Sequence, residues 1–222
     1  MAQYDATTII VYQAYCSEIG HCAATHNHFG GPAFSLSRMS WIKPNFLWMM
    51  YRSGWSTKPG QEVTLAIRLR REAFDEVLSQ AVHSRPEPDI YPSKADWQSR
   101  VKSSDVRLQW DPDHNPSGAP IARRAIQLGL RGEMLAKYAR EWIVSIEDIT
   151  DFVRQQAVNA RHQPYSDLLV PIEMPYPVTD NRVAKKLQVA SSAPERNLPC
   201  SSTSTPPATT SRSPASPTPS RT

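Results

Sequence analysis

Across residues 61–81 the hydrophobic period of the chain changes, and that change constrains the fold more than any other feature. Val63, Leu65, Ile67 and Leu69 alternate with Thr64, Ala66 and Arg68, a period of two that predicts a strand with one buried face. Phe74, Val77, Leu78 and Ala81 then recur at helical spacing. A strand hiding one face and a helix hiding one stripe must share a core, which places the chain in a mixed class.

The remaining segments repeat that mixture. Residues 7–15, TTIIVYQAY, are rich in β-branched and aromatic side chains and predict a buried strand, after which Ser17 is placed to cap a helix running to about residue 26. Gly30-Gly31-Pro32 breaks the chain. Pro44 sits where a first helical residue belongs, so a helix is predicted over 44–53, with Gly54 to end it. Residues 84–96 read as a Pro-rich loop holding at most a short helix near Trp97. Further strands are expected at 106–110, 125–130 and 142–147, with the turn-like stretch DPDHNPSGAP after the first of these. Arg131 and Gly132 turn the chain into a helix through GEMLAKYARE, and Asp148 caps or begins a last helix reaching Ala160. The fold class is α+β: a single compact domain with a mixed, mostly antiparallel sheet and packed helices.

Composition shifts near residue 180. All six Trp lie between Trp41 and Trp142, whereas the end of the 222-residue chain is mostly Ser, Thr, Pro and Ala with scattered Arg. Such a sequence buries too little apolar surface to offset the entropy of ordering. The reading is therefore a globular domain over 1–180 and a disordered tail over 181–222. A net charge of +4, from 25 basic and 21 acidic residues, permits contact with phosphate but does not by itself make a nucleic-acid binder. No apolar run approaches the roughly 20 residues that span a bilayer, and the start lacks the pattern of a signal peptide. Three cysteines make no even disulfide framework, which agrees with a reducing, intracellular setting, cytoplasmic or nuclear.

Candidate chemistry concentrates in four places. Residues 41–55, WIKPNFLWMMYRSGW, carry three Trp and set Trp48, Tyr51, Arg52 and Trp55 on one helical face. Arg52 would then lie between aromatic rings, answered either by Glu62 or Asp111 or by an anionic ligand held in two-toothed geometry. Lys43 is a poor cap, which would leave the first amides of that helix for an anion. The second place is WDPDH, where Asp111 and His114 are candidate proton-handling groups beyond a strand end, although Asp-Pro-Asp is also an ordinary turn sequence. The third is the strand AIQLGL, where Gln127 and Gly129 face away from Ile126, Leu128 and Leu130, and a strand glycine often marks a close approach. The fourth is Tyr12 and Gln13 on the first strand, with Gln13 presenting an amide to a pocket wall. Amides orient ligands and stabilise charge more readily than they move protons. Cys16, His21, Cys22, His26 and His28 are all metal-ligand types, but without a C-x-x-C knuckle the spacing argues against zinc. Walker A, Rossmann, H-E-x-x-H and G-x-S-x-G patterns are absent from the sequence.

The blocks VYQAY (11–15), SRMSWIKPNFLWMMYRSGW (37–55), QWDPDH (109–114), RAIQLGL (124–130) and WIVSIEDIT (142–150) occur in an order that resembles domain-of-unknown-function family 4291, over roughly residues 3–160. That resemblance implies a family without implying an activity. The layout is also faintly similar to the ADP-ribosyltransferase fold, which binds NAD in a cleft between two small sheets and faces the ribose with a carboxylate or amide on a late strand. The resemblance would give that part to Gln127, but no glutamate matches and no His or Arg sits on the first strand. The leading reading is an enzyme or enzyme-derived domain, a nucleotide- or NAD-dependent transferase by layout. In it Lys43, Trp48 and Arg52 hold a phosphate-bearing nucleotide with Tyr12 and Gln13, and Gln127, Asp111 and His114 act on it. The alternative is a non-catalytic module that binds RNA or a protein, which exposed Trp48 and Trp55 would favour.

Overall fold

A computed structural model describes residues 1–190 of the chain. The elements, in order, are β1 (Thr8–Tyr15), α1 (Ser17–His26), β2 (Ser40–Ile42), α2 (Phe46–Ser53), β3 (Val63–Arg70) and α3 (Arg71–Gln80). They continue with β4 (Val82–His83), α4 (Lys94–Ser103), β5 (Val106–His114), β6 (Pro120–Leu130) and α5 (Gly132–Lys137), which runs into a π-turn at Tyr138–Trp142. Finally come β7 (Ile143–Asp148), α6 (Thr150–Asn159) and α7 (Asn181–Leu187). The α+β class follows as the periodicities predict. The strands, however, divide between two sheets: an antiparallel one in the order β1-β3-β7, and a four-stranded one in the order β2-β6-β5-β4 with only β4–β5 parallel.

The two sheets share the main core. Ile9, Val11, Leu65, Ile67 and Leu69 from the first meet Ile42, Val106, Leu108, Leu128 and Leu130 from the second, with Phe74, Val77 and Leu78 of α3 closing one side. Side chains alternate across a strand, so the other face of β1 carries Ile10 and Tyr12 into a second core with Phe46, Met49 and Met50 of α2 and Val153 of α6. The first face of β1 turns polar at its end. Beyond Ile9 and Val11 come Gln13 and Tyr15, which line a cleft at the seam between the sheets. An isolated antiparallel bridge, with the Tyr12 amide donating to the Lys43 carbonyl at 2.7 Å, stitches β1 to the segment after β2 and fixes Lys43 at that seam.

Several local expectations change. Ser17 is the first helical residue of α1, behind Cys16, and caps nothing. Pro44 precedes α2 instead of opening it: Asn45 is the cap, and its side chain accepts from the Trp48 amide at 2.8 Å. The DPDH segment belongs to β5 and not to a turn, which is confined to residues 115–119. Pro112 is tolerated there because the β5–β6 register shifts between Pro112 and Asp113. Helix α4 is longer than the short one expected. The ordered body also runs past the compositional boundary at 180, because Ala184 and Leu187 of α7 are buried in the main core. The rest of the expected tail, 191–222, lies outside the described residues. Among the described residues, no helix is long and apolar enough to cross a membrane.

Candidate functional site

The cleft encloses about 460 Å³ between the end of β1, the loop before β2 and the face of α2. Its lining includes Gln13, Tyr15, Arg38, Ser40, Trp41, Lys43 and Arg52. Three of these are cations, and no Asp or Glu lines the space. The lining therefore concentrates basic side chains with no carboxylate among them to offset their charge.

Gln13 organises the floor. It is only 2 % exposed, and its Nε2 lies 3.0 Å from the Trp41 carbonyl and 2.9 Å from both Tyr15 Oη and Ser40 Oγ. Its Oε1 accepts from Tyr138 Oη at 2.6 Å. The amide expected at a pocket wall is therefore present, but it faces the protein's own groups on both sides. Tyr12 does not join it: adjacent strand residues point oppositely, and the Tyr12 ring packs edge-on to Phe46 in the second core. Burial holds the hydroxyls of Tyr138 and Tyr15 above their usual range, Tyr15 at about 12, so both stay protonated at neutral pH.

Lys43 is the cation built most deeply into the cleft. It is 6 % exposed, its Nζ donates to the Trp41 carbonyl at 3.2 Å, and it lies 5.4 Å from the Trp48 ring centroid. Burial, reinforced by the charge of Arg52, lowers its pKa to about 7, and Asp111 opposes that only in part. Trp48 is itself buried, a wall behind Lys43 and not a stacking platform. Arg52 differs from expectation. It is exposed, and no aromatic ring lies in cation–π reach of its guanidinium among the described residues. Nor does it pair with Glu62, whose Oε1 instead accepts from the Gly60 amide at 2.7 Å. Helical spacing puts Arg52 on the face of Trp48 and Gly54 marks the helix end, but neither says that the guanidinium turns to the cleft and not onto the rings.

The start of α2 is not open to a ligand. Glu173 lies far along the chain, and its Oε1 accepts from the Phe46 amide at 2.6 Å while Oε2 accepts from Asn45 Nδ2 at 2.7 Å. The helix N-terminus is thus answered by the protein's own carboxylate, whose pKa burial raises to about 7. Asp113, fully buried, lies next to this pair and binds Arg123, with Nη2 at 2.6 Å and Nε at 2.7 Å from Oδ2.

A second polar group occupies the outer face of the four-stranded sheet. Gln127 Nε2 donates to Asp111 Oδ2 at 2.7 Å and Gln109 Nε2 to Asp111 Oδ1 at 2.9 Å. The register explains this, because Gln109 pairs directly with Gln127 and Asp111 is next along the same face. Asp111 and Gln127 are therefore in direct contact. His114 does not join them. Past the β5 bulge its ring is buried face to face with Tyr51, centroids 3.6 Å apart, with Nδ1 lacking a partner. Burial lowers its pKa. The close approach marked by Gly129 is made by the protein itself: a Cβ there would meet Met39 Sδ at 2.6 Å and the Trp41 ring at 3.0 Å.

Among the described residues no three His, Cys, Asp or Glu side chains converge as a metal site; the nearest approach on α1 is Cys22 Sγ to His26 Nδ1, 3.7 Å. The sequence reading passed over Arg38, Ser40, Tyr138 and Glu173. Arg38 and Ser40 lie in an aperiodic loop and a three-residue strand respectively, and Tyr138 and Glu173 act across more than a hundred residues, where no local pattern reports them.

A search of curated proteins finds no match to the chain. A family model described as a domain of unknown function, DUF4291, matches residues 1–176, which takes in both sheets, the cleft and the Glu173 strap. Spanning most of the chain and its whole candidate site, that match shows that the protein belongs to the DUF4291 family.

Proposed function

We propose that the seam cleft binds a phosphate-bearing nucleotide of the NAD type, and that the domain is an enzyme or enzyme-derived domain acting on it. The observation that carries this reading is the cation set without a carboxylate. Lys43 is buried, held close to another cation and given no counter-charge in the lining, an arrangement that costs stability until an anion arrives. Arg38 and Arg52 at the rim add the geometry for phosphate oxygens. A cleft at the junction of a three-stranded and a four-stranded sheet also supports the transferase-like layout. Asp111 and Gln127, on the adjoining sheet face, are the groups proposed to orient a second reactant or receive a proton. Trp48 is buried and Trp55 half-buried, which weighs against the stacking on bases that an RNA-binding reading needs.

Thermal-shift titration of the full chain with NAD, ADP-ribose, ATP, GTP and a short single-stranded RNA tests this reading. A ligand at about 100 times its Kd adds about 2.7 kcal/mol to stability. The expected result is a nucleotide-dependent shift that Arg52→Ala and Lys43→Met each abolish while remaining folded. A shift with RNA alone, or a nucleotide shift that both variants retain, would overturn it.

A further inference from the structure

The floor of the cleft holds one more hydrogen than its own partners can use. The orientation of the Gln13 amide is fixed, because the Trp41 carbonyl only accepts and the amide atom 3.0 Å from it must be nitrogen. Oε1 is then the atom facing Tyr138, and it takes the Tyr138 hydroxyl hydrogen. Nε2 carries two hydrogens, one for the Trp41 carbonyl and one shared toward Ser40 Oγ and Tyr15 Oη. Those two hydroxyls lie 2.5 Å apart, so one donates to the other. The hydrogen of the second hydroxyl has no acceptor among the described residues. Ser40 is 9 % exposed, and both hydroxyls line the cleft.

The position of this spare donor says what it meets. Lys43 Nζ and Gln13 Nε2 hang from the same Trp41 carbonyl, at 3.2 and 3.0 Å, and the hydroxyl pair is one contact further on. A phosphate against Lys43 thus brings the group attached to it, and not a distant base, to the hydroxyl pair. Resting on the nucleotide reading, we propose that the Tyr15–Ser40 pair donates a hydrogen bond to an oxygen of the sugar that bears the phosphate, making the cleft selective for sugar phosphates over bare phosphate.

Calorimetric titration of the full chain with ribose 5-phosphate and with inorganic phosphate isolates the sugar, since the two probes differ only there. The wild-type chain is expected to prefer ribose 5-phosphate by about tenfold or more. Tyr15→Phe and Ser40→Ala each free the remaining hydroxyl from its neighbour, so each single variant keeps a donor and most of the preference. The double variant removes both hydroxyls, leaves only the Gln13 Nε2 hydrogen buried beneath them, and is expected to lose most of the preference; its binding of inorganic phosphate, read alongside, reports whether the cations and the fold are intact. A wild-type chain that binds both probes equally overturns the proposal without recourse to any variant. So does a double variant that keeps the preference. If ADP-ribose and ribose 5-phosphate both fail to bind the wild type, the nucleotide reading falls and takes this one with it; if ADP-ribose binds through Arg52 but the sugar confers no preference, only this one falls.

Discussion

Lys43 is the residue at which folding and ligand binding oppose each other. Its pKa of about 7 lies below the ordinary 10.5, so between those values the unfolded chain carries a proton that the folded chain has lost. Stability therefore rises with pH across that window, and the full cost is felt below about pH 7. Lys43→Met is expected to stabilise the protein at pH 6 by about 1 kcal/mol or more, a few degrees in Tm, with the gain shrinking toward pH 10. Melting curves at pH 6 and pH 9 check this; an equal gain at both would mean that the ammonium is not what is being relieved. Tyr138→Phe asks the reverse question of the floor. It removes the donor to Gln13 Oε1 in a fully buried position, and a loss of about 1–3 kcal/mol in denaturant unfolding is expected. A neutral outcome would show that the amide finds another partner and that its orientation is not held from behind.

At the scale of elements, α2 shows both what periodicity tells and what it withholds. Pro44, the spacing of Trp48, Tyr51 and Arg52, and Gly54 together locate the helix and its stop. They could not report that Glu173, 127 residues after Phe46, would occupy the helix start, because no local pattern encodes a contact of that range. Strands β2 and β4, of three and two residues, are too short for alternation to register, and β5 was cut short in the reading because Pro112 resembles a turn when its bulge is invisible. Glu173 predicts a slope opposite to that of Lys43. Its pKa of about 7 exceeds the ordinary 4.5, so the folded state holds a proton that the unfolded state has released, and stability falls as pH rises from 4.5 to 7. Glu173→Gln is expected to flatten that arm of the stability profile. Glu173→Ala leaves the Phe46 amide without its acceptor and Asn45 Nδ2 with only the 3.4 Å bond to Asp113 Oδ2, and is expected to cost about 1–3 kcal/mol and to speed hydrogen exchange at the start of α2. Unaltered exchange there would show that the strap does not cap the helix.

Taken whole, the molecule places its site where two sheets meet, and that is the level at which the sequence was least legible. Alternation sets Gln127 on the face away from Leu128, but only the β5–β6 register, with β5 continuing past Trp110, brings Asp111 within reach of it. Alternation could not say that β1 and β6 belong to different sheets, which is why Gln13 and Gln127 read as neighbours across one pocket and in fact stand on separate sheets. Composition has a similar blind spot at the far end. Residues 181–187 are polar enough to read as tail, yet α7 needs only Ala184 and Leu187 to join the core, with Lys186 Nζ donating to the Ser79 carbonyl at 2.6 Å. Leu187 and Val189 line a groove with Phe74 and Leu78 of α3, so removing them exposes apolar surface on both partners. Fully burying a leucine side chain stabilises by about 1.5–3 kcal/mol, and the facing side chains add to that. A chain ending at residue 180 is therefore expected to unfold at a urea midpoint corresponding to a loss of about 3 kcal/mol or more relative to one ending at 190, with Leu187→Ala in the longer chain reproducing most of it. Equal midpoints for the two would place the end of the folding unit at 180 and make α7 a passenger on its surface.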